Sequence, residues 1–373
     1  MWYRRCESYT LMKNRASFLT LNLLMLILIG VIVLGQHKQK NDQLAIAEVA
    51  STYMTQANER QEQQMKITNL IQETINEDLP GIVVWGDSLT AGTGGNSVTY
   101  SLVLKNLIHH HVYNNIPVIN MGVAGESSST IAGRAGSIPF TVDSFTIPAD
   151  TSKVEIQLTS SDGSAVAPLR TGDRGLNPVT ISGVKGIISI AQESSTSETF
   201  TYSFERLQGG EAVTVEANTV VETASLNEFE NYIPIISIGQ NGGYETNQQL
   251  VDQIRSIVNM EKSNEKYLVL GITAGTAESQ IQLESLMESV FGEKYVNLRE
   301  LISSNGVQIA GITPTTEDLI AMESGSIPPS LLSDEVNLNA MGYEVIGRIL
   351  FDRMQKLGYF DSVLELVGEL NEL

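Results

Sequence analysis

Residues 81–92 read GIVVWGDSLTAG, and this stretch decides the fold that we expect for the chain. Its first five residues are apolar at both alternating positions, which is typical of a strand buried on both faces of a parallel sheet. Gly86, Asp87 and Ser88 follow directly. A serine at the carboxyl end of such a strand lies where open parallel sheets bind their ligands.

The same pattern continues along the rest of the chain. Four more short apolar runs are found at residues 117–121, 233–238, 267–272 and 295–298. Amphipathic segments between or after them cover residues 100–108, 248–260, 279–291 and 340–357. Because short buried strands alternate with helices, we predict an α/β domain with helices on both faces of a parallel sheet.

Residues 139–230 interrupt this alternation. They are rich in Thr, Ser, Val and Gly, and segments such as 153–158 alternate apolar with polar side chains between turn signals. We therefore predict a small antiparallel β domain at residues 139–230, inserted into an α/β domain formed by residues 81–138 and 231–373. The insertion is interpreted either as a lid or glycan-contacting module, or as a structural elaboration of one loop.

The amino-terminal region predicts a membrane anchor. Residues 18–34 read FLTLNLLMLILIGVIVL without a charge, and four basic side chains and one acidic side chain precede them. Such a run covers most of a bilayer core, and basic residues stay on the cytoplasmic side. We predict a cytoplasmic segment at residues 1–17, a transmembrane signal anchor at residues 18–35 and an extracytoplasmic remainder on a bacterial surface. A cleaved signal peptide is the alternative, although no clear cleavage site follows Leu34.

Residues 36–80 predict a helical stalk between the membrane and the α/β domain. Ile67, Leu70, Ile71 and Ile75 recur at helical spacing, and Pro80 ends the pattern because proline disfavours helix in the residue before it. A polar linker is the alternative. The sequence leaves open whether the stalk pairs with a second copy to form a homo-oligomer.

The composition excludes several classes of protein. With 43 acidic and 23 basic residues the net charge is −20, so we expect no nucleic-acid partner, because such binders need a basic surface. The single cysteine, Cys6, excludes an internal disulfide. Only four histidines are available for a zinc site, and we expect neither a metal nor another cofactor.

Four short blocks in this order resemble the SGNH (GDSL) hydrolases. The first block is Gly86-Asp87-Ser88-Leu89, whose serine is the nucleophile of that family. Gly125 matches the glycine whose N–H contributes to the oxyanion hole. Asn241 matches the asparagine of the third block, although the family's usual aspartate is absent there. Asp334 matches the aspartate of the last block, but Asn337 stands where the family has its histidine.

The resemblance implies a flavodoxin-like three-layer α/β/α fold and a serine esterase. Its catalytic residues would be Ser88 and Asp334, with Asn337 in place of the usual histidine, and its oxyanion hole would be Ser88, Gly125 and Asn241. The substrate would be a small-molecule or glycan acyl ester, from which the acyl group is removed or transferred.

The missing histidine leaves three accounts open, because an amide cannot accept the serine proton. Asp334 could act through a water molecule in a weak esterase. The chain could be a non-catalytic relative that binds a glycan or scaffolds at the cell surface. Asn337 could also be an introduced substitution.

Two other groups of residues are candidates for the site. His109, His110 and His111 are expected at a solvated helix terminus, toward the opposite edge of the sheet from Ser88, where they cannot replace the missing base. Arg134 is expected as a surface cation, in preference to a contact with an anionic substrate group.

Overall fold

The computed structural model describes residues 23–27, 40–164, 166, 169, 174–192, 200–226, 228–260, 262 and 265–372. The chain divides into two units, and the larger unit runs from Ile71 to Gly368. The smaller unit contains the described residues up to Leu70 and those from Glu369 onward. All features of the candidate site lie in the larger unit.

The strands in chain order are β1 (Ile82–Gly86), β2 (Val118–Gly122), β3 (Phe140–Val142), β4 (Phe145–Ile147), β5 (Val154–Ile156), β6 (Leu158–Ser160), β7 (Val179–Ile181), β8 (Val184–Gln192), β9 (Phe200–Arg206), β10 (Val213–Val215), β11 (Thr219–Val220), β12 (Ile233–Ser237), β13 (Leu268–Leu270) and β14 (Tyr295–Val296). The helices are α1 (Lys40–Asp78), α2 (Ser88–Ala91), α3 (Tyr100–His111), α4 (Ser128–Ala135), α5 (Asn247–Met260), α6 (Ala277–Phe291), α7 (Leu298–Ile309), α8 (Thr316–Glu323), α9 (Ala340–Lys356) and α10 (Asp361–Glu372).

The predicted membrane anchor falls mostly outside the described residues. Of residues 18–35 the structure describes only 23–27, which are helical and exposed. The predicted cytoplasmic segment at residues 1–17 also lies outside them. Within the part of the chain that the structure describes, no helix has the length and apolar character needed to cross a membrane.

The predicted stalk is helical over most of its described residues. Helix α1 ends at Asp78, close to the boundary expected from Pro80. Within the larger unit its last two turns bury Ile71 and Ile75, and Leu79 is buried directly after them. The end of the helix is therefore part of the core of this unit.

Five strands form a parallel sheet, which confirms the central fold prediction. Their order is β14-β13-β12-β1-β2, and every neighbouring pair is parallel. Strand β1 lies between β12 and β2, and Ile82 is in register with Ile233 on one side and Val118 on the other. The chain first adds β2 on one side of β1 and later adds β12, β13 and β14 on the other, so the strand order reverses between β1 and β12.

Both faces of this sheet are buried. Val83 and Trp85 of β1 belong to a hydrophobic core with side chains of α4, α5 and α6. Ile82 and Val84 point to the opposite face and are equally buried. On that face α3 contacts β2, and α9 packs against both α3 and α7.

The strands between α4 and β12 all pair antiparallel. They form three small sheets, which join β4 with β10, β3 with β6 and β11, and β5, β9, β8 and β7 in that order. Phe140, Ile181 and Phe204 lie in a hydrophobic core of their own. Antiparallel strands are therefore present where the sequence predicted them, while the division into domains at residues 139 and 230 stays a prediction.

Two glycines allow α2 to lie directly on the ends of β1 and β2. A Cβ atom at Gly86 would lie 2.0 Å from Thr90 Oγ1, and one at Gly122 would lie 2.3 Å from the backbone nitrogen of Ala91. A backbone atom cannot move aside as the end of a flexible side chain can. These glycines therefore fix the position of the helical turn that begins with Ser88.

We expect Gly122→Ala to lower the free energy of unfolding by about 1–3 kcal/mol, because the added methyl group overpacks the contact between β2 and α2. Gly368→Ala in α10 is the control, since nothing lies within 4 Å of that methyl group. It should leave stability unchanged or raise it by about 0.5–1 kcal/mol. Urea denaturation measures both variants, and equal stability would contradict the close packing of α2.

Candidate active site

Ser88 is the first residue of α2, at the carboxyl end of β1. The helix has Asp87 as its N-cap, whose carboxylate accepts a hydrogen bond from the Leu89 N–H at 3.1 Å, and it ends at Gly92 in the left-handed conformation. The Ser88 side chain is half-buried, and its hydroxyl forms no hydrogen bond with any described residue. The serine is thus held by its backbone, and its hydroxyl is not used in holding the fold together.

Gly125 and Asn241 lie on the loops that follow the two strands beside β1. Gly125 adopts a left-handed conformation with φ +82° after β2. Asn241 follows β12, and its Nδ2 donates to the backbone oxygen of Glu126 at 3.1 Å. The two loops are joined again where Ser128 N donates to Gly242 O at 2.9 Å. The structure therefore brings the two predicted oxyanion-hole loops together.

Asp334 and Asn337 are hydrogen-bonded to each other. The amide Nδ2 of Asn337 lies 2.9 Å from Asp334 Oδ2 and 3.2 Å from Oδ1, and the backbone N–H of Asn337 donates to Oδ1 at 2.7 Å. These bonds lower the pKa of the Asp334 carboxyl, and the bond from the Asn337 side chain contributes most. Asn337 therefore donates to the aspartate and has only its amide oxygen left as an acceptor.

The Asp334–Asn337 pair lies against the loop that follows α2. A Cβ atom at Gly94 would lie 2.0 Å from Ser333 Oγ, and the Tyr343 hydroxyl donates to Thr93 O at 2.8 Å. Burial raises the pKa of Tyr343, and the negative charges of Asp87 and Asp334 add to this effect. Both carboxylates therefore act on the same hydroxyl, although no hydrogen bond joins Ser88 to Asn337 among the described residues.

Sequence reasoning missed the electrostatic role of Asp87. Its side chain is 1% exposed, and burial raises the pKa of its carboxyl to about 6, against the opposing effect of the Leu89 N–H. Glu126 raises it further by charge repulsion. The serine is thus preceded by an acid that titrates close to neutral pH.

The expectation that Arg134 is a surface cation is wrong. Its side chain is fully buried in α4, and Nε lies 2.8 Å from Oε2 of the equally buried Glu126. The guanidinium also lies 5.4 Å from the centre of the Trp85 ring and donates to the backbone oxygen of Arg174. Arg134 is buried because a carboxylate on the Gly125 loop neutralises its charge, so it does not meet a substrate.

The three consecutive histidines lie where the sequence placed them. His109, His110 and His111 form the last turn of α3, and His109 Nε2 pairs with Ile116 O at 2.9 Å. Ile116 precedes β2, so this turn lies at the amino ends of the strands, whereas Ser88 lies at the carboxyl ends. Among the described residues no group of three or more His, Cys, Asp or Glu side chains could hold a metal ion.

Comparison with models of known protein families and with curated proteins finds no match for this chain. The functional argument therefore depends on the geometry of these loops and on the sequence blocks that they carry.

We expect Arg134→Met to lower the free energy of unfolding by about 3–5 kcal/mol, because it leaves the Glu126 carboxylate buried without its cation. The double variant Glu126→Gln/Arg134→Met should recover part of the loss. Arg255→Met is the control, since Arg255 and Asp252 are exposed and 4.0 Å apart. It should cost less than about 1 kcal/mol in urea denaturation. Equal losses for the two single variants would contradict a structural ion pair.

The raised pKa of Asp87 predicts a pH dependence of stability. The folded state holds this proton more tightly than the unfolded chain, with a pKa of about 6 against 3.8. The stabilisation is therefore complete below the lower value and is lost as the pH rises through the higher one. Asp87→Asn keeps an N-cap acceptor but cannot ionise. As the pH rises between these two pKa values, its free energy of unfolding should increase by up to about 3 kcal/mol relative to that of the parent protein.

Urea denaturation between about pH 4 and pH 7 measures this difference. Asp150→Asn provides the control, because hydrogen bonds from Ser152 lower the pKa of Asp150 and its titration therefore lies below this pH range. Its difference from the parent protein should stay nearly constant between about pH 4 and pH 7. A constant difference between Asp87→Asn and the parent protein would show that the Asp87 carboxyl does not titrate in this range.

Proposed function

We propose that the chain is an SGNH-type serine esterase with slow turnover, built on a flavodoxin-like fold. The observation that carries the proposal is the placement of Ser88 and Asn241. They follow β1 and β12, between which the strand order reverses, and open parallel sheets bind ligands at this point. Numbered along the chain, the five parallel strands have the order 2-1-3-4-5, which is that of flavodoxin-like sheets.

The proposed chemistry begins with attack of Ser88 Oγ on an ester carbonyl. The carbonyl oxygen becomes an oxyanion, and the N–H groups of Ser88 and Gly125 and the side-chain amide of Asn241 would donate to it. One such donor contributes about 3–4 kcal/mol to the stability of the transition state. Asn241 donates one amide hydrogen to Glu126 O, and its second amide hydrogen is left for this role.

Turnover is expected to be slow because the site lacks a base. Asn337 cannot take the serine proton, and removal of the corresponding base from a serine hydrolase costs about 10⁶-fold in turnover. Asp334 is a poor substitute, even through a water molecule, because the bonds from Asn337 lower its pKa. What remains is catalysis by the oxyanion hole and by substrate binding.

A second function is favoured by the Asp334–Asn337 pair itself. Both carboxylate oxygens accept hydrogen bonds from Asn337, so the pair is satisfied without a histidine. A non-catalytic relative would need the pocket only to bind a glycan ester, or to act as a scaffold at the cell surface. Ser88, Gly125 and Asn241 would then contact the ligand without turnover.

The cellular setting is proposed from the sequence alone. The uncharged run at residues 18–35 and its basic flank support a single-pass anchor with the α/β domain on the extracytoplasmic side. In that setting the substrate would be an acyl or acetyl ester on a small molecule or on a cell-envelope glycan. Pairing of two copies through the stalk stays a prediction.

The experiment measures the initial rate of 4-nitrophenyl acetate hydrolysis by the full chain and by Asn337→His. In both side chains the donating nitrogen is bonded to Cγ, so an imidazole Nδ1–H can replace the Asn337 Nδ2 bond to Asp334. We expect Asn337→His to raise the rate by about 10²- to 10⁴-fold, because it supplies a general base. Adding Ser88→Ala should abolish the gain.

Imidazole by itself hydrolyses activated esters, so Asn305→His at an exposed position of α7 serves as the control and should show no gain. A rate for Asn337→His that equals that of Asn305→His, or that survives Ser88→Ala, would refute the esterase site. A parent rate that is already high and depends on Ser88 would show that another group activates the serine.

A further inference from the structure

Two adjoining pockets, which we together call the groove, lie at the carboxyl ends of β12 and β13. Its first part is lined by Asp87 and Leu89, the two neighbours of Ser88, and by residues 270–272. Its second part shares residues 270–272 and continues to Tyr295. Each part has a cavity volume of about 10 Å³, which is the space of one water molecule or one hydroxyl group. The pocket at Tyr295 therefore adjoins the pocket that Asp87 and Leu89 line.

Tyr295 differs from the other buried tyrosines in how its hydroxyl is used. The side chain is 6% exposed, and its hydroxyl forms no hydrogen bond with any described residue. Each of the other described tyrosines that are buried has a partner. These partners are Thr90 for Tyr100, Val166 for Tyr202, Thr93 for Tyr343 and Tyr267 for Tyr359. The Tyr295 hydroxyl is therefore available to the pocket that its side chain lines, and it is not used in holding the fold together.

Gly271 keeps space open at this hydroxyl. A Cβ atom there would lie 2.6 Å from the Tyr295 oxygen, closer than real Cβ contacts allow. Burial, with a smaller contribution from Glu284, raises the pKa of Tyr295. The phenol is therefore protonated at neutral pH and can both donate and accept a hydrogen bond.

Two further polar side chains line the same pocket. The Glu284 carboxylate is held by Arg299, whose Nε and Nη2 each lie 2.6 Å from one of its oxygens. Each of these oxygens has a second lone pair that can accept another bond. Gln280 is half-buried, and its side-chain amide forms no hydrogen bond with a described residue. The pocket therefore offers donors and acceptors for a single hydroxyl group. The rest of its lining is mostly apolar and consists of Ile238, Leu270, Gly271, Ile272, Leu283 and Met287.

We infer that Tyr295, Gln280 and Glu284 form a subsite that binds one hydroxyl group of the substrate's alcohol part. The inference rests on the proposed function at Ser88 and narrows its substrate class to esters of polyhydroxylated alcohols, of which carbohydrates are the common case. An apolar group would leave these polar side chains desolvated and unpaired, which is unfavourable.

The test measures binding, so that it does not depend on turnover. The sample is the full chain with Ser88→Ala and with ¹³C-labelled tyrosine. Two probes of similar ring size are titrated into it, which are a monoacetylated methyl glucoside and cyclohexyl acetate. We expect the glucoside to shift the Tyr295 resonance, which is assigned by its loss in Tyr295→Phe. Tyr295→Phe should weaken glucoside binding by about two- to tenfold and leave cyclohexyl acetate unchanged, because one hydrogen bond is lost.

Equal affinity of the glucoside for both proteins, or no binding of the glucoside, would overturn the subsite. Glucoside binding that depends on Tyr295, together with an Asn337→His variant that gains no Ser88-dependent activity, would retain the subsite and refute the esterase. The two failures are therefore distinguishable.

A stability measurement separates a ligand-binding hydroxyl from a structural one. The midpoint of urea denaturation should be unchanged in Tyr295→Phe, because no described protein group loses a hydrogen bond. Tyr359→Phe is the matched control, since its hydroxyl accepts from Tyr267 N at 3.1 Å and donates to Tyr267 O at 2.9 Å. That variant should unfold at lower urea concentration, and an equal decrease in Tyr295→Phe would overturn the inference.

Discussion

The buried ion pair between Glu126 and Arg134 joins the parts of the structure on which the candidate site depends. Glu126 follows Gly125 directly, and its backbone oxygen accepts the Asn241 amide. Arg134 packs over Trp85 of β1, and its backbone oxygen accepts a hydrogen bond from Ser225 Oγ at 2.6 Å. The attraction between two buried charges offsets the free-energy cost of removing them from water only when their geometry is well defined. One interaction therefore fixes the loop of Gly125 relative to the sheet and to the segment before β12.

The position of the candidate site follows from the sheet topology. Parallel strands all present their carboxyl ends at one edge, and the reversal of strand order between β1 and β12 leaves a crevice there. Ser88 lies at this crevice because Gly86 and Gly122 allow α2 to approach the strand ends. The chemistry then depends on the turn that holds Asp334 and Asn337. In that turn Asn337 donates to Asp334, as a histidine would in the proposed esterase, but it cannot accept the serine proton.

The sequence predicts the parallel sheet well because four of its five strands are buried at every residue, so their apolar runs are visible without knowledge of their neighbours. Strand β2 is buried only at Met121 and Gly122. The predicted strand at residues 267–272 is shorter in the structure, Leu268–Leu270, and Gly271 and Ile272 line the groove beyond its end. Helix α4 was missed because all of its residues are buried, which removes the amphipathic period that marks a helix. Helix α7 was missed because Leu298 continues the apolar run of β14.

The sequence predicts the candidate site only as a set of short motifs, and it does not predict how their side chains interact. Ser88, Gly125, Asn241 and Asp334 could be named because their residue types and their order resemble those of a family. The roles of Arg134 and Tyr295 could not be found in this way. Burial of Arg134 depends on the direction of the Glu126 side chain, and the hydroxyl of Tyr295 is exceptional only when its neighbours are known. Both are properties of tertiary packing.

The central claim is that Ser88 lies in an oxyanion-stabilising pocket, and covalent labelling tests it most directly. The full chain is incubated with a serine-directed fluorophosphonate, and the modified peptide is identified by mass spectrometry. The account predicts slow labelling of Ser88 alone, which is lost in Ser88→Ala, because the phosphonyl oxygen would take the place of the ester oxyanion. Labelling spread over surface serines, or no labelling of Ser88, would contradict it.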